Sequence, residues 1–90
     1  MAHTTRNQKK LQSRVRRIGG QVAAIEKALE TGADCADVLV QIAAVRGAVH
    51  GLMMEVLNGH LQEHVVAESD ERRRTREMAV VSDLLRTYLK

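Results

Sequence analysis

Two long stripes of apolar residues at helical spacing constrain the fold of this chain more than any other feature. Members of the first stripe recur every three or four residues: Leu11, Val15, Ile18, Val22, Ile25 and Leu29. This spacing lines one face of an α-helix, and the chain contains no proline that would interrupt it. The stripe ends at "ETGADC" (30–35), where Gly32 can adopt the left-handed C-terminal conformation and Asp34 can cap a second helix.

The second stripe is wider than the first. It consists of Val38, Ile42, Val45, Val49, Leu52 and Val56, flanked by Leu39, Met53, Leu57 and Leu61. A helix that is apolar over much of its circumference is normally buried, so we expect this one to form the centre of an assembly.

A third and shorter stripe completes the pattern: Met78, Val81, Leu85 and Tyr88. The polar segment 68–75 precedes it, with Ser69 or Asp70 as the cap. Strand-type alternation is absent from the sequence, which therefore predicts an all-α fold of three helices with the middle one longest.

The length and composition of the chain predict one small domain that recruits a partner subunit. Its 90 residues, with no Phe or Trp and one Tyr, can bury only a limited core, so we treat 1–90 as a single domain. One cysteine excludes an intrachain disulfide. We find neither a signal peptide nor an apolar run long enough to span a bilayer, which predicts a cytoplasmic protein without a membrane partner.

Positive charge is concentrated near the N-terminus. Residues 1–30 carry seven Lys or Arg against two Glu, whereas residues 31–67 carry one Arg against four acidic residues. This distribution suits a polyanion partner, although a solvated face would have the same composition. Gly19 and Gly20 interrupt the first helix at a cost of about 1 kcal/mol each relative to Ala, which predicts that another helix approaches closely there.

His60 and His64 in "GHLQEH" (59–64) form the candidate metal-binding pair. Residues four apart share one face of a helix, where two imidazoles can bind one ion, although two solvent-facing histidines would have the same spacing. Glu63 either orients an imidazole or is solvated. His50 has no partner at metal-ligand spacing and is expected to be structural.

Cys35 is the candidate third ligand, although a buried, unreactive cysteine is the common alternative. If 35–65 is one helix, Cys35 and His60 lie about 37 Å apart at a rise of about 1.5 Å per residue. Metal–ligand bonds are about 2.0–2.3 Å long, so one subunit cannot bring both to one ion. An antiparallel homodimer of the middle helices can, and two-fold symmetry then generates two sites.

The N-terminus offers further ligands. Ala2 is small, so removal of Met1 is expected to expose an α-amino group beside His3. We predict a flexible arm over residues 1–5 that folds onto the metal site; a disordered leader is the alternative.

Four segments together resemble the CsoR/RcnR family of bacterial metal-sensing transcriptional repressors. They are "RVRRIGGQV", "AIEKALE", "CADVLVQIAAVRGAVHGLMMEVLNGHLQEHV" and the final "YLK", and the resemblance covers nearly the whole chain. It implies an antiparallel helical dimer that pairs into a dimer of dimers, or homotetramer. It also implies binding to double-stranded operator DNA without a helix-turn-helix. We do not expect an enzyme, because no acid–base pair or nucleophile accompanies the candidate ligands.

The residues at the sensor positions of the family resemble its nickel/cobalt branch, RcnR. They are His3, Cys35, His60 and His64. Copper(I) sensors carry Cys in place of His64, and persulfide sensors need a second cysteine. Formaldehyde sensors typically have Pro at position 2 and lack His at 64. Ala2 and His64 both differ from that pattern, so formaldehyde sensing through Cys35 and the N-terminal amine is the second choice.

Ligand chemistry also favours Ni(II) or Co(II) as the effector. One thiolate, three imidazoles and the amine make up to five nitrogen-rich ligands, whereas a structural Zn(II) site closes at four. Zn(II) and Cu(I) are weaker candidates, although the Irving–Williams trend favours tighter binding of zinc and copper.

The basic residues of the first helix are the candidate phosphate contacts: Lys9, Lys10, Arg14, Arg16 and Arg17, with Arg46 as a further candidate. Phosphate contacts supply affinity and salt dependence rather than sequence reading, so we expect DNA shape to provide the specificity. The predicted function is repression in the metal-free state and release of DNA on metal binding, which derepresses metal efflux genes.

Overall fold

The computed structural model describes residues 7–89, which form three α-helices and one π-helical turn. Helix α1 spans Gln8–Glu30, α2 spans Cys35–Leu61, and α3 spans Glu71–Tyr88. The π-helical turn, Gln62–Val66, follows α2 directly. No strand occurs between residues 7 and 89. The predicted all-α fold of three helices is confirmed, and α2 is the longest, with 27 residues against 23 and 18.

Helix α1 ends at the glycine that the sequence indicated. Gly32 has a φ of 71°, in the left-handed region. The Gly32 amide donates to the Leu29 carbonyl at 3.4 Å, and the Ala33 amide donates to the Ala28 carbonyl at 2.9 Å. This pair of bonds is the Schellman motif, which satisfies carbonyl groups that the end of a helix leaves open.

Aspartates stand at the starts of α2 and α3. The carbonyl of Asp34 accepts from the Val38 amide at 3.1 Å, the first hydrogen bond of α2. At α3, the Asp70 side chain accepts from the Arg72 amide at 2.9 Å. Asp70, rather than Ser69, is therefore the cap of α3.

The π-helical turn was not predicted from the sequence. The Ala67 amide donates to the Gln62 carbonyl five residues earlier, at 3.0 Å. This hydrogen bond widens the helix after Leu61, so His64 lies in a π-helical turn rather than on the α-helical register that its spacing indicated. Such turns often occur at functional sites.

The described residues divide into two compact units. Residues 7–54 contain α1 and most of α2, and their buried apolar residues are Ala28 and Val38. Residues 55–89 contain the end of α2, the π-helical turn and α3, which packs against that turn. Val81 of α3 is the most deeply buried side chain described, at 1% exposure.

The structure contains one chain, so the expectation that α2 forms the buried centre of an assembly stays a prediction. Val38 alone is buried along α2, whereas Leu39 and Val40 are 60% and 69% exposed. Ile42, Val49, Met53 and Met54 are exposed as well. No described part of the single chain covers these residues, so the apolar surface of α2 suits association with another chain.

The expectation that no apolar run is long enough to span a bilayer is wrong on length and composition. The continuous helical segment Cys35–Val66 contains 32 residues, and both its length and its mean hydropathy would allow it to cross a bilayer. The central helix of a soluble oligomer can have the same length and mean hydropathy, because its apolar surface is covered by other subunits rather than by lipid.

The predicted close approach of a helix at Gly19 and Gly20 does not occur within the described chain. A Cβ atom built on either residue has no atom within 4 Å beyond its own helical surroundings. Neither glycine is therefore required by packing among residues 7–89.

Candidate functional site

The two candidate histidines lie side by side where α2 ends. His60 lies in the last turn of α2, and His64 lies in the π-helical turn. Their ring centroids are 4.7 Å apart, and the ring planes are tilted by 44°. The widened turn therefore still brings the two imidazoles together, as the sequence spacing predicted.

This geometry fits two imidazoles that share one metal ion. Metal–imidazole bonds are about 2.0–2.1 Å long, so rings in adjacent coordination positions have centroids roughly 4.5–5 Å apart. The observed separation of 4.7 Å falls in this range. The pair would supply two nitrogen ligands of borderline softness, suited to Ni(II), Co(II), Cu(II) or Zn(II).

A carboxylate that the sequence analysis missed contacts this pair. Nε2 of His60 lies 2.9 Å from Oε2 of Glu77 on α3. The His60 side chain is only 17% exposed, so the contact is partly shielded from water. When Nε2 donates to Glu77, the lone pair that a metal would take resides on Nδ1. Glu77 lies 17 residues after His60, a separation at which helical spacing carries no signal.

A cleft of about 590 Å³ adjoins the pair. It is lined by His64, Glu68, Arg73, Arg76, Glu77 and Val80. The cleft brings charged groups of α3 beside the candidate ligand His64.

The remaining predicted ligands do not join the histidines within the described chain. Cys35 is an exposed free thiol at the first residue of α2, so the alternative of a buried cysteine is wrong for a single chain. Across residues 7–89, no group of three or more His, Cys, Asp or Glu is placed to hold a metal. Ala2 and His3 lie outside the described residues, as does the predicted arm.

Glu63 and His50 were assigned secondary roles from the sequence. Glu63 lies in the π-helical turn and is half-buried, and its role in orienting an imidazole stays a prediction. His50 lies in the middle of α2 and is exposed to solvent in the single chain.

The candidate DNA-contacting residues lie on two helices. Lys9, Lys10, Arg16 and Arg17 are exposed on α1, and Arg46 is exposed on α2. Arg14 is half-buried instead, because its guanidinium group lies against Gly51 of α2. A Cβ atom at Gly51 would be 3.3 Å from Nη2 of Arg14. The absence of a side chain at position 51 therefore helps to place Arg14.

Comparisons with known proteins agree with this arrangement. Residues 7–87 match the family of metal-sensitive transcriptional repressors. The chain is 51% identical over the full length of both proteins to the transcriptional repressor RcnR of Salmonella paratyphi B. It is 53% identical, again over the full length of both, to an uncharacterized protein in the bioA 5′ region of Serratia marcescens.

A solved structure is also similar to the chain. It is a variant of the formaldehyde-responsive regulator FrmR from Salmonella enterica serovar Typhimurium, in which a glutamate is replaced by histidine. The TM-score is 0.84 and the identity is 48%, covering 92% of this chain and 94% of the other.

The match over residues 7–87 and the full-length identities establish the family that the sequence resemblance predicted. Proteins of this family are transcriptional repressors rather than enzymes, which implies DNA binding and oligomerization. This chain belongs to the CsoR/RcnR family of metal-sensitive transcriptional repressors.

Proposed function

We propose that this protein is a cytoplasmic repressor that responds to Ni(II) or Co(II). In the metal-free state it binds operator DNA, and on binding metal it releases the operator, so that metal efflux genes are transcribed. The observation that carries the proposal is the His60–His64 pair, with ring centroids 4.7 Å apart and Glu77 holding His60. The similarity to RcnR supports the nickel/cobalt branch of the family.

A site shared between two chains would complete the ligand set. Cys35 begins α2 and His60 lies in its last turn, so a second α2 in antiparallel orientation would place its thiol beside the imidazoles. The exposed apolar residues of α2 provide the surface that such a dimer would bury. The N-terminal amine of Ala2 and the imidazole of His3 would add ligands from the arm, for a higher coordination number than zinc usually takes.

Release of DNA then follows from linkage between the two ligands. If metal favours a subunit arrangement whose basic surface fits DNA poorly, metal and DNA weaken each other's affinity by the same factor. A coupling of about 1–3 kcal/mol corresponds to a change of roughly 5–150-fold in DNA affinity. The surface involved would include the basic residues of α1 and Arg46.

An anaerobic titration with Co(II) tests the shared site. Co(II) bound by a thiolate gives an intense near-ultraviolet charge-transfer band, which we expect for the wild-type protein together with release of operator DNA. Cys35→Ala should lose the band, and both Cys35→Ala and His64→Ala should keep DNA bound when metal is added. His50→Ala is the matched control and should behave like the wild type. A full response by Cys35→Ala would contradict the shared site.

Formaldehyde sensing is the second candidate, because the solved relative is a variant of a formaldehyde-responsive regulator at 48% identity. The exposed thiol of Cys35 is a suitable nucleophile, with the Ala2 amine as its partner. Release of operator DNA by formaldehyde, retained in His64→Ala and lost in Cys35→Ala, would favour this function. Release by metal alone would favour the first.

A further inference from the structure

Four arginines lie near the N-terminal end of α3, where positive charge lowers the stability of a helix. Arg72, Arg73, Arg74 and Arg76 all lie within the first two turns. The N-terminal end of a helix carries a partial positive charge, so cations in the first turn, such as Arg72, Arg73 and Arg74, are unfavourable. Helix stability therefore does not explain this cluster. A residue choice that opposes local stability is often made for function.

The arginines differ in their contacts. Nε of Arg73 lies 3.8 Å from the Asp70 carboxylate, and Nη1 of Arg74 donates to the Glu68 carbonyl at 3.0 Å. The guanidinium groups of Arg72 and Arg76, in contrast, form no hydrogen bond or ion pair with any part of the chain that the structure describes. Both side chains are exposed.

Arg72 and Arg76 lie one helical turn apart on the same face of α3. Together with Glu71 and Thr75 they line a surface groove of about 540 Å³. Among residues 7–89, the groove therefore presents two guanidinium groups and one hydroxyl beside one carboxylate. This composition favours an anion with several acceptor oxygens.

We propose that Arg72 and Arg76 form a second DNA-contacting surface that binds phosphates of the operator duplex, in addition to the basic face of α1. The inference rests on the proposed function, since it assigns further contacts to the same DNA. Guanidinium groups match phosphate geometry, and contacts of this kind position a protein on DNA without reading sequence. None of the described residues that line the groove is an aromatic residue on which an unpaired base could stack, so the groove suits duplex rather than single-stranded nucleic acid.

This surface is directly connected to the candidate metal-binding pair. Arg76 precedes Glu77, whose carboxylate contacts His60, and Arg76 also lines the cleft beside His64. Movement of His60 or Glu77 on metal binding would therefore be transmitted to Arg76 through the backbone of α3. Metal binding at the imidazoles would thus change the position of Arg76 and its contact with a phosphate.

The salt dependence of DNA binding tests the proposal. The metal-free protein is titrated at several salt concentrations with two DNA duplexes of unrelated sequence. The log–log slope should fall by about one unit for each phosphate that the protein no longer neutralises, so by about two for Arg72→Gln/Arg76→Gln on both probes. Affinity at low salt should fall at least about tenfold.

Arg73→Gln/Arg86→Gln is the matched control, because it removes the same charge from the same helix. Arg73 and Arg86 are ion-paired with Asp70 and Asp83, so this variant should keep the wild-type slope. Arg72→Lys/Arg76→Lys, which keeps the charge, should retain most of the slope. Helix content and oligomeric state should match the wild type in all three variants.

Two results would overturn the inference while leaving the proposed function intact: an unchanged slope in Arg72→Gln/Arg76→Gln, or an equal reduction of the slope in the control. Titration with a single strand as a further probe gives a third such result: reduced binding of the single strand with unchanged binding of the duplex. If the wild-type protein binds neither duplex, the proposed function fails, and the inference fails with it.

Discussion

The contact between His60 and Glu77 is the most informative single interaction in the molecule. It joins a candidate metal ligand to α3 at 2.9 Å, in a partly buried position. Carboxylates that hold a ligating histidine fix its tautomer and orientation and raise its basicity. Glu77 is therefore expected to position His60 rather than to bind metal itself.

Glu77→Gln should weaken metal binding by about 10–100-fold, because the neutral amide no longer supports the His60 imidazole electrostatically. Competition with a chelator of known affinity measures the effect. Asp83→Asn is the control, since Asp83 pairs with Arg86 on the same helix. Equal affinities for both variants would show that Glu77 has no part in the site.

A substitution at Gly51 tests whether the position of the Arg14 guanidinium group affects DNA binding. Gly51→Ala should raise helix stability by about 1 kcal/mol, yet its methyl group would lie 3.3 Å from Nη2 of Arg14 and would shift the guanidinium group by a few tenths of an ångström. We therefore expect a higher melting temperature together with weaker DNA binding. Gly47→Ala, on the same helix with nothing described within 4 Å, should stabilise without weakening DNA binding. Indistinguishable DNA affinities would show that the contact of Arg14 with Gly51 does not affect DNA binding.

At the scale of elements, the helix ends follow local chemistry, and the π-helical turn is the exception. Gly32, Asp34 and Asp70 delimit the helices through hydrogen bonds to nearby backbone groups. The turn at Gln62–Val66 has no such local signal, and α3 packs against it. It is the element that sets the relative positions of His60 and His64.

Gly32→Ala should destabilise the protein by about 1–2 kcal/mol, because a Cβ atom makes the left-handed conformation at φ 71° unfavourable. Urea denaturation followed by circular dichroism measures the change. Gly47→Ala again serves as the control, with a change of opposite sign. An unaltered midpoint for Gly32→Ala would mean that another termination of α1 is equally stable.

At the scale of the whole molecule, the exposed apolar surface of α2 is the feature that most strongly indicates association with another chain. Ile42 belongs to the predicted stripe and is 47% exposed in the single chain. Burying a side chain of this size contributes about 1.5–3 kcal/mol, and an oligomer with an axis of symmetry repeats the contribution in each chain. The α2 surface is therefore the proposed interface.

Ile42→Glu should shift the protein towards monomers and abolish the thiolate band with Co(II), because the proposed site needs two chains. Sedimentation equilibrium and the cobalt titration measure the two effects. Ser82→Glu adds the same charge at an exposed position of α3 and should change neither. A monomeric Ile42→Glu that retains the band would show that one chain binds the metal by itself.

The sequence alone determined the three helices, the glycine and aspartate at their ends, and the position of His60 and His64 near one another along the chain, although not the π-helical turn that sets their relative positions. These features depend on residues no more than about five positions apart, so spacing and side-chain chemistry suffice to predict them. The tertiary structure decided the contact of Glu77 with His60, the packing of α3 on the π-helical turn and the approach of Arg14 to Gly51. It also showed that a single chain leaves most of α2 uncovered. These features depend on which helix faces meet, and that choice is set by packing between residues distant in sequence, for which periodicity carries no information.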